Sequence, residues 1–389
     1  MRTIHAVMRP QDFRANRLML LFNELAAVHD LRLTVIHNTN GESCPSCAGE
    51  TGWTLPFREI SFSFDALGQS EGAKALCADI LGERLGQGDL LLISCEHFLP
   101  LLPRARELGL ATWYDQREMF LFGVGGDIRS GEAERLDAWE RRFLPHADFV
   151  TTVDSHEEFW KGRYETLGRP CHVIRGVPPR SPDLIAHSRG MIEERDIDGR
   201  IELVMIGGIR INQGLEALLD GLELLPQSFN LHLIGLVNPA FRKTFEALLA
   251  HKANPELAVH YGDWMPYDGL VRTIARFHVG LMLKQPDKGQ YGMIARGNSR
   301  KPFTYMHAGL PCIAPHARSV CLQVAEEGAG LRVDVARPQA LAEAITAIIQ
   351  DRKTYDTMAM AGIDAIERTY NWENEWLGLR EAAGRALAL

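Results

Sequence analysis

The sequence predicts an α/β protein with two doubly wound domains of parallel strands that face a central cleft. Short apolar segments alternate with longer amphipathic segments, which is the pattern of strands and helices in parallel sheets. The alternation stops over residues 176–200 and restarts at residue 201, so we expect two blocks rather than one. Hydrophobic residues make up 46% and charged residues 24% of the 389 residues, which is ordinary globular composition rather than disorder.

The first half of the chain is predicted to contain six strands and five helices. Residues 89–94 read Asp-Leu-Leu-Leu-Ile-Ser, and their unbroken central apolar run is typical of a strand that is buried on both faces of a parallel sheet. The first helix carries Leu18, Leu21 and Leu25 along one side. Strands are predicted at residues 2–8, 31–37, 89–94, 111–114, 148–153 and 171–175, and helices at residues 16–29, 70–86, 97–108, 130–144 and 155–167.

A linker is predicted over residues 176–200, because this stretch opens with a proline-rich turn and continues with a polar run. The domains on either side are then residues 1–175 and 201–370, and residues 371–389 form a last helix. Strands are predicted at residues 201–206, 229–235, 257–261, 278–284, 311–314 and 330–333, and helices at residues 214–224, 239–252, 266–276, 301–308, 318–327, 337–350, 353–368 and 373–388.

Charge and composition exclude several classes of protein. The 42 Lys and Arg residues are outnumbered by 50 Asp and Glu residues, so the net charge of −8 argues against a nucleic-acid binder that depends on a general basic field. No window approaches the apolar length of a membrane span, and the first apolar segment is too short for a signal peptide. Seven cysteines do not form a disulfide framework. We expect a cytoplasmic protein that binds no nucleic acid.

A glycine turn lies at the start of the second block. Residues 204–218 read Val-Met-Ile-Gly-Gly-Ile-Arg-Ile-Asn-Gln-Gly-Leu-Glu-Ala-Leu, a strand followed by a turn and a helix start. Gly207 and Gly208 permit a tight turn and close approach of a ligand, and the helix after Gly214 presents free N–H groups to an anion. The turn follows the carboxyl end of a strand, where doubly wound sheets bind ligands. The alternative is a turn that serves packing only.

A second polar segment enters a helix later in the same block. Residues 297–314 read Gly-Asn-Ser-Arg-Lys-Pro-Phe-Thr-Tyr-Met-His-Ala-Gly-Leu-Pro-Cys-Ile-Ala. Pro302 is tolerated in the first helical turn, and Gly309 is a natural C-terminal cap. The candidate diphosphate cradle comprises Asn298, Ser299, Arg300 and Lys301. The alternative is a capped helix start with solvated charges.

With these segments the sequence resembles the GT-B glycosyltransferases, in particular the retaining family 4 and its relatives. Further matching segments are Tyr-Asp-Gln-Arg-Glu at 114–118, Ala-Asp-Phe-Val-Thr-Thr-Val-Asp-Ser at 147–155, Val-Ile-Arg-Gly-Val at 173–177, Gly-Ala-Gly-Leu-Arg-Val-Asp at 328–334 and Tyr-Asn-Trp-Glu at 370–373. The resemblance implies two Rossmann-like domains: residues 1–175 bind the acceptor and residues 201–370 bind a nucleotide-sugar donor. It also implies that the helix of residues 371–389 crosses back to the first domain.

The donor site departs from the family pattern at several positions. The resemblance implies an Arg directly after the first glycine and a Lys before the helix, but Gly208 and Gln213 stand there, and Arg210 is the candidate substitute. The family's two carboxylates, eight residues apart, fall on Arg296 and Thr304. The second carboxylate accepts hydrogen bonds from ribose hydroxyls, which a threonine does weakly. An unusual nucleotide, an unusual sugar and a weakened catalyst all fit these departures.

Three charged residues follow a strand of the first domain and are the candidate catalytic residues. Asp115, Arg117 and Glu118 are expected to face the cleft from the wall opposite the donor, where they contact the sugar or activate the acceptor hydroxyl. The sequence does not discriminate between Asp115 and Glu118 for that role. The alternative is local pairing of the carboxylates with the arginine.

Cys44 and Cys47 form an isolated Cys-x-x-Cys pair in a polar loop. Zinc needs four ligands, and Cys95 and His97 contribute only if the fold brings them close. An ordinary loop is therefore expected, and no metal site is predicted.

Arginines near the N-terminus suggest a further hypothesis. Arg9, Arg14 and Arg17 lie close to Phe13 and form a basic amphipathic edge that would make weak peripheral contact with the inner membrane face. The alternative is an ordinary solvated helix start.

The sequence as a whole predicts a metal-independent glycosyltransferase of the hexosyltransferase type. It would move a sugar from a nucleotide-activated donor, used as substrate rather than cofactor, to a hydroxyl of a sugar, lipid-linked or small-molecule acceptor. Retention of configuration and a place in polysaccharide, cell-envelope or glycoconjugate biosynthesis are implied by the resemblance. The alternatives are a nucleotide-sugar epimerase of the same fold and a catalytically silent binding or scaffold protein.

Overall fold

The computed structural model divides the chain into two compact units. The first contains Met1–Gly176 and Glu375–Leu389, and the second contains Val177–Asn374. The structure describes residues 2–10, 16–39, 53–82, 88–116, 130–152, 168, 171–209, 214–225, 229–239, 241–251, 257–262, 265–283, 299–316 and 321–387. Within these ranges, no helix combines the length and the apolar composition that a membrane crossing requires.

The first unit contains a parallel sheet of seven strands. They are β1 (Thr3–Met8), β2 (Asp30–Asn38), β3 (Phe57–Phe62), β4 (Leu90–Ile93), β5 (Ala111–Gln116), β6 (Phe149–Thr152) and β7 (Cys171–Val173). Their order is β3-β2-β1-β4-β5-β6-β7, and every neighbouring pair is parallel. All four residues of β4 are buried, as expected for an unbroken apolar run in the middle of a parallel sheet.

Five helices accompany this sheet within the described ranges. They are α1 (Asn16–Val28), α2 (Phe64–Leu67), α3 (Ser70–Leu81), α4 (Leu101–Glu107) and α5 (Ser130–Phe143). Leu18, Leu21, Phe22 and Leu25 of α1 are almost completely buried, which accounts for the helical spacing of apolar residues in that segment. The helix predicted at residues 155–167 lies outside the described residues.

The second unit contains a parallel sheet of six strands. They are β8 (Ile201–Ile206), β9 (Phe229–Ile234), β10 (Leu257–Gly262), β11 (Val279–Leu281), β12 (Cys312–Pro315) and β13 (Gly330–Val333). Their order is β10-β9-β8-β11-β12-β13, again with parallel neighbours. The chain runs outward from β8 on one side and resumes at β11 on the other. Such a reversal of strand order opens a crevice at the carboxyl ends of the strands.

The described helices of the second unit are α6 (Pro182–Glu194), α7 (Leu215–Leu222), α8 (Arg242–His251), α9 (Tyr267–Ile274), α10 (Lys301–His307), α11 (Leu322–Glu326), α12 (Pro338–Ile349) and α13 (Arg352–Arg368). A last helix, α14 (Trp372–Leu387), follows them in the chain.

The segment predicted as a linker, residues 176–200, is folded into the second unit instead. Ser181 caps α6 by accepting a hydrogen bond from the Leu184 backbone N–H, and Pro182 occupies the first turn. Leu184, Ile185 and Ile192 are buried. Polar residues surround these apolar ones, so the average composition of the segment does not reveal a buried helix face. The polar composition and the proline-rich start together suggested a linker.

Most of α14 belongs to the first unit. Glu375 accepts hydrogen bonds from the Arg175 backbone N–H at 3.0 Å and from its Nε at 2.6 Å. Leu379 and Leu387 are buried, and Arg2 contacts the Leu387 carbonyl. The first unit is therefore assembled from two separate stretches of the chain.

Strand β3 and helix α2 have no counterpart in the sequence prediction. Every residue of β3 is half-buried or exposed, because it is an edge strand of the sheet. An edge strand lacks the continuous apolar run that identified the central strands.

Candidate functional site

The glycine turn and the later helix meet at the carboxyl edge of β8. Gly207 has a φ of +88°, and its N–H donates to the Ile234 carbonyl at 2.8 Å. A Cβ added to Gly207 would lie 3.0 Å from Cε and 3.6 Å from Nζ of Lys301. Gly207 and Gly208 are both exposed. The structure thus brings an open backbone turn next to a lysine that is 94 residues away in the sequence.

Tyr305 holds the start of the helix that carries Lys301 next to this turn. Its hydroxyl donates to the Leu281 carbonyl at 2.8 Å and accepts from the Ile206 N–H at 3.1 Å, so it ties α10 to β11 and β8. Its ring lies against Gly280, where an added Cβ would come within 2.4 Å of the ring. Since Ile206 directly precedes Gly207, the position of α10 is fixed relative to the turn. Sequence reasoning overlooked this role of Tyr305.

The other predicted donor residues have different places. Ser299 is half-buried and Arg300 is exposed immediately before α10. Gly214 precedes α7 with a φ of +68°, and an added Cβ would lie 2.7 Å from the Leu283 carbonyl oxygen. Only a glycine fits there without displacing the backbone of Leu283, which lies two residues beyond β11. Arg210, Gln213 and Asn298 lie outside the described residues.

Thr304 is buried on α10, with 5% of its surface exposed. Its hydroxyl donates to the Arg300 carbonyl at 3.1 Å, and it is also hydrogen-bonded to Tyr267. The Tyr267 hydroxyl in turn lies 3.0 Å from Nδ1 of His307. Burial raises the pKa of Tyr267, and burial lowers the pKa of His307 to about 4. Where the resemblance implies a carboxylate, the chain therefore has a neutral network of the buried Thr304 and His307 with the half-buried Tyr267.

Of the candidate catalytic residues, Asp115 lies in the described structure at the end of β5. It is completely buried, and one carboxylate oxygen is 2.5 Å from Nη2 of Arg17. The other accepts a hydrogen bond from the Thr151 hydroxyl at 2.6 Å. Asp115 is thus paired with an arginine of α1, whereas the sequence suggested Arg117. Arg117 and Glu118 lie outside the described residues, as do Cys44 and Cys47.

A cluster that sequence reasoning mentioned only in passing lies at the carboxyl end of β4. Nδ1 of His97 is 3.2 Å from Sγ of Cys95 and 3.1 Å from Oε1 of Glu96. Nη1 of Arg9 lies 3.5 Å from both Oε1 of Glu96 and Nδ1 of His97. The available signal was three adjacent, chemically active residues just beyond the carboxyl end of a buried strand.

Comparison with known proteins gives matches in structure only. No protein-family model matches the chain, and no curated protein matches it. HepE of Anabaena, solved in complex with UDP and glucose, superposes with a TM-score of 0.71 at 14% identity, covering 99% of this chain and 100% of HepE. Sucrose-phosphate synthase from Thermosynechococcus elongatus superposes with a TM-score of 0.71 at 18% identity, covering both chains completely.

A third neighbour has a different assigned activity. A protein from Listeria monocytogenes assigned as a UDP-N-acetylglucosamine 2-epimerase superposes with a TM-score of 0.57 at 9% identity, covering 99% of this chain and 95% of its own. At such identities the likeness establishes the fold. The chain has the GT-B fold, and the predicted class of two Rossmann-like α/β units is confirmed. Membership of family 4 stays a prediction.

Proposed function

We propose that the protein is a glycosyltransferase that moves a sugar from a nucleotide-diphosphate donor to a hydroxyl acceptor. The observation that carries this proposal is the position of Lys301 beside the exposed turn at Gly207, at the carboxyl edge of β8. A flexible ammonium next to an open backbone turn suits a diphosphate, because the backbone lets the phosphate approach closely and the lysine supplies charge.

The chemistry of such a site is electrostatic. When the sugar leaves the donor, negative charge develops on the diphosphate, and a positive charge beside it lowers the barrier. Lys301, together with Arg300 at the start of the same helix, is the described candidate for that charge. A charge-assisted hydrogen bond of this type contributes about 1.5–3 kcal/mol. Because the protein itself would neutralise the diphosphate, transfer would need no metal.

UDP is the first donor nucleotide to test, because HepE was solved with UDP and glucose. The proposal extends to a hexose as the sugar, to retention of configuration, and to an acceptor bound by the first unit. A sugar, a lipid-linked sugar or a small hydroxyl compound would serve as acceptor, in polysaccharide, cell-envelope or glycoconjugate biosynthesis. A cytoplasmic location belongs to the same proposal. The basic edge suggested for weak membrane contact does not include Arg17, because that side chain is buried in its ion pair with Asp115.

Donor binding is tested with a panel of nucleotide sugars and Lys301→Ala. We expect one donor to raise the melting temperature, and the mutation to weaken its binding by about 1.5–3 kcal/mol in calorimetry. Lys353→Ala, at an exposed position of α13, is the matched control and should bind like the wild type. An unchanged dissociation constant in Lys301→Ala would contradict this diphosphate site.

The epimerase alternative is supported by the Listeria neighbour. The two activities are separated by incubating the preferred donor with the purified protein. Slow hydrolysis of that donor to free sugar supports a transferase, whereas interconversion of nucleotide sugars supports an epimerase. The absence of any melting shift across the panel supports a silent binding or scaffold protein.

A further inference from the structure

The cluster at the end of β4 places three potential metal ligands close together. Cys95 lies two residues beyond the last residue of β4, and a single 3-10 turn, Glu96–Phe98, brings the next two side chains back toward it. One sulfur, one carboxylate oxygen and one imidazole nitrogen of Cys95, Glu96 and His97 all lie within 4.8 Å of one another. The three residues are buried. The arrangement comes from adjacent residues, so it is held by local backbone geometry.

The distances and ligand types suit a small thiophilic cation. In a tetrahedral zinc site with Zn–S of about 2.3 Å and Zn–N or Zn–O of about 2.0–2.2 Å, neighbouring ligand atoms are roughly 3.3–3.6 Å apart. Nδ1 of His97 is 3.2 Å from the Cys95 sulfur and 3.1 Å from the Glu96 oxygen. We propose that Cys95, Glu96 and His97 bind a divalent zinc-class ion, with water at the fourth position.

Arg9 is the feature that controls this site. Its Nη1 lies 3.5 Å from two of the three ligand atoms, so the guanidinium charge is next to the position that the metal ion would take. The side chains of Arg9 and His97 are 15% and 11% exposed, against 3% for Glu96, so the cluster opens to solvent on the Arg9 side. An incoming ion must displace the guanidinium. Arg9 therefore acts as an internal competitor of the metal.

Metal binding at this cluster releases protons, because sulfur binds a metal as the thiolate and the imidazole nitrogen binds in its deprotonated form. These protons leave to solvent as the ion forms its bonds to sulfur, nitrogen and oxygen, so affinity rises with pH.

The site lies in the first unit and does not depend on the proposed donor site in the second unit. It also departs from the sequence analysis, which predicted no metal site. From the sequence these residues were considered only as additional ligands for Cys44 and Cys47, because zinc sites are usually recognised from two spaced pairs.

The test is a titration of the full-length protein with Co²⁺, whose bond to a thiolate produces an intense charge-transfer band. Cys44→Ser/Cys47→Ser serves as the background, so that this Cys-x-x-Cys pair cannot contribute a thiolate band of its own. We expect one cobalt ion per chain, a thiolate band, and loss of the band when Zn²⁺ is added. Cys95→Ser should abolish the band, and Cys77→Ser, another buried thiol of the same unit, should retain it.

Two further variants keep the proposal open to refutation. His97→Gln should weaken cobalt binding more than about 100-fold, beyond the 10–100-fold effect of residues that merely orient ligands. Arg9→Gln should tighten it about tenfold or more, because the competing charge is gone and an amide still donates to Glu96. Circular dichroism verifies that each variant is folded. A thiolate band that survives in Cys95→Ser, no band in the background protein, or unchanged affinity in Arg9→Gln overturns the proposal.

Discussion

At Gly207 a single methyl group would disturb both the backbone and the neighbouring lysine. Its φ of +88° is strained for any residue with a Cβ, and that Cβ would press on Cε of Lys301 at 3.0 Å. We expect Gly207→Ala to lower the free energy of unfolding by roughly 1–2 kcal/mol. It should also weaken donor binding by about tenfold, which is 1.4 kcal/mol, because Nζ must move.

Denaturant unfolding and calorimetry measure the two effects of Gly207→Ala. Gly190→Ala is the matched control, since Gly190 lies in the interior of α6 with nothing within 4 Å of an added Cβ. That change should stabilise the protein by about 0.5–1 kcal/mol and leave the affinity for the donor unchanged. If Gly207→Ala is as stable as Gly190→Ala and binds the donor as tightly, then neither the positive φ of Gly207 nor its contact with Lys301 constrains the turn.

The buried His278 makes the second unit sensitive to acid. Burial and the charge of Arg195 lower its pKa to about 4, against an ordinary value of 6.5. The unfolded chain therefore binds a proton at this histidine more readily than the folded chain does. We expect the contribution of His278 to the free energy of unfolding to be fully present above pH 6.5 and to be lost as pH falls toward 4, by up to about 3 kcal/mol. His278→Asn should make this decline shallower, since an amide oxygen still accepts from the Glu202 N–H, which lies 2.9 Å from Nδ1.

Urea unfolding at a series of pH values measures the slope in His278→Asn and in the wild type. His316→Asn, at an exposed position, is the control and should not change the slope. Equal slopes in all three proteins would mean that His278 is not the titrating group.

At the residue scale, the sequence identified candidate site residues but seldom the residues that they contact. Gly207, Gly208 and Lys301 were chosen by motif, and the fold brings the turn and the lysine together. Arg17 and Asp115, by contrast, form a buried ion pair across 98 residues, which no local pattern reveals. The cluster of Cys95, Glu96 and His97 was predictable from the sequence, because its members are adjacent. It was not predicted, because it lacks the two spaced pairs by which zinc sites are usually recognised.

At the scale of elements, Arg195 fixes the far end of the helix that carries Lys301. Its guanidinium is almost completely buried, and Nη2 donates to the carbonyls of Ala275 and Ala308 at 2.7 and 2.8 Å. Nη1 contacts the Gly309 carbonyl and donates to the Tyr355 hydroxyl at 3.1 Å. A single cation thereby satisfies the last carbonyls of α9 and α10.

We expect Arg195→Met to lower the free energy of unfolding by roughly 3–5 kcal/mol, because several buried acceptors lose their donor. It should also weaken donor binding, since α10 is no longer held at its C-terminal end. Chemical denaturation gives the stability. Arg200→Met is the control, because Arg200 is exposed and bonds to Asn230 at 3.2 Å, and it should stay within about 0.5 kcal/mol of the wild type.

The elements that the sequence predicted best are those with an unbroken apolar run or strong helical spacing. Strands β4 and β8 are examples, since both are central and their residues are largely buried. Helix α6 was missed because prolines before it suggested a linker, although proline is favoured in a first helical turn. Strand β3 was missed because an edge strand needs little apolar surface.

At the scale of the whole molecule, the two units give a further test of where the donor binds. A ligand that binds the second unit stabilises that unit by about 2.7 kcal/mol when present at 100 times its dissociation constant. We therefore expect UDP to raise the unfolding transition of Val177–Asn374 and to leave that of the first unit in place. Hydrogen exchange resolved along the chain distinguishes the two. Equal protection of both units by UDP would contradict a site confined to the second.

The two-part composition of the first unit has a consequence for the order in which the protein is made. Residues 1–176 leave the ribosome long before residues 375–389, yet both belong to one unit. The second unit lies between them in a single stretch, so it has all its residues available earlier. Until Leu379 and Leu387 arrive, the apolar surface that they cover stays open to water and to other chains. The nascent first unit therefore passes through a period of exposure in which chaperones or aggregation compete with folding.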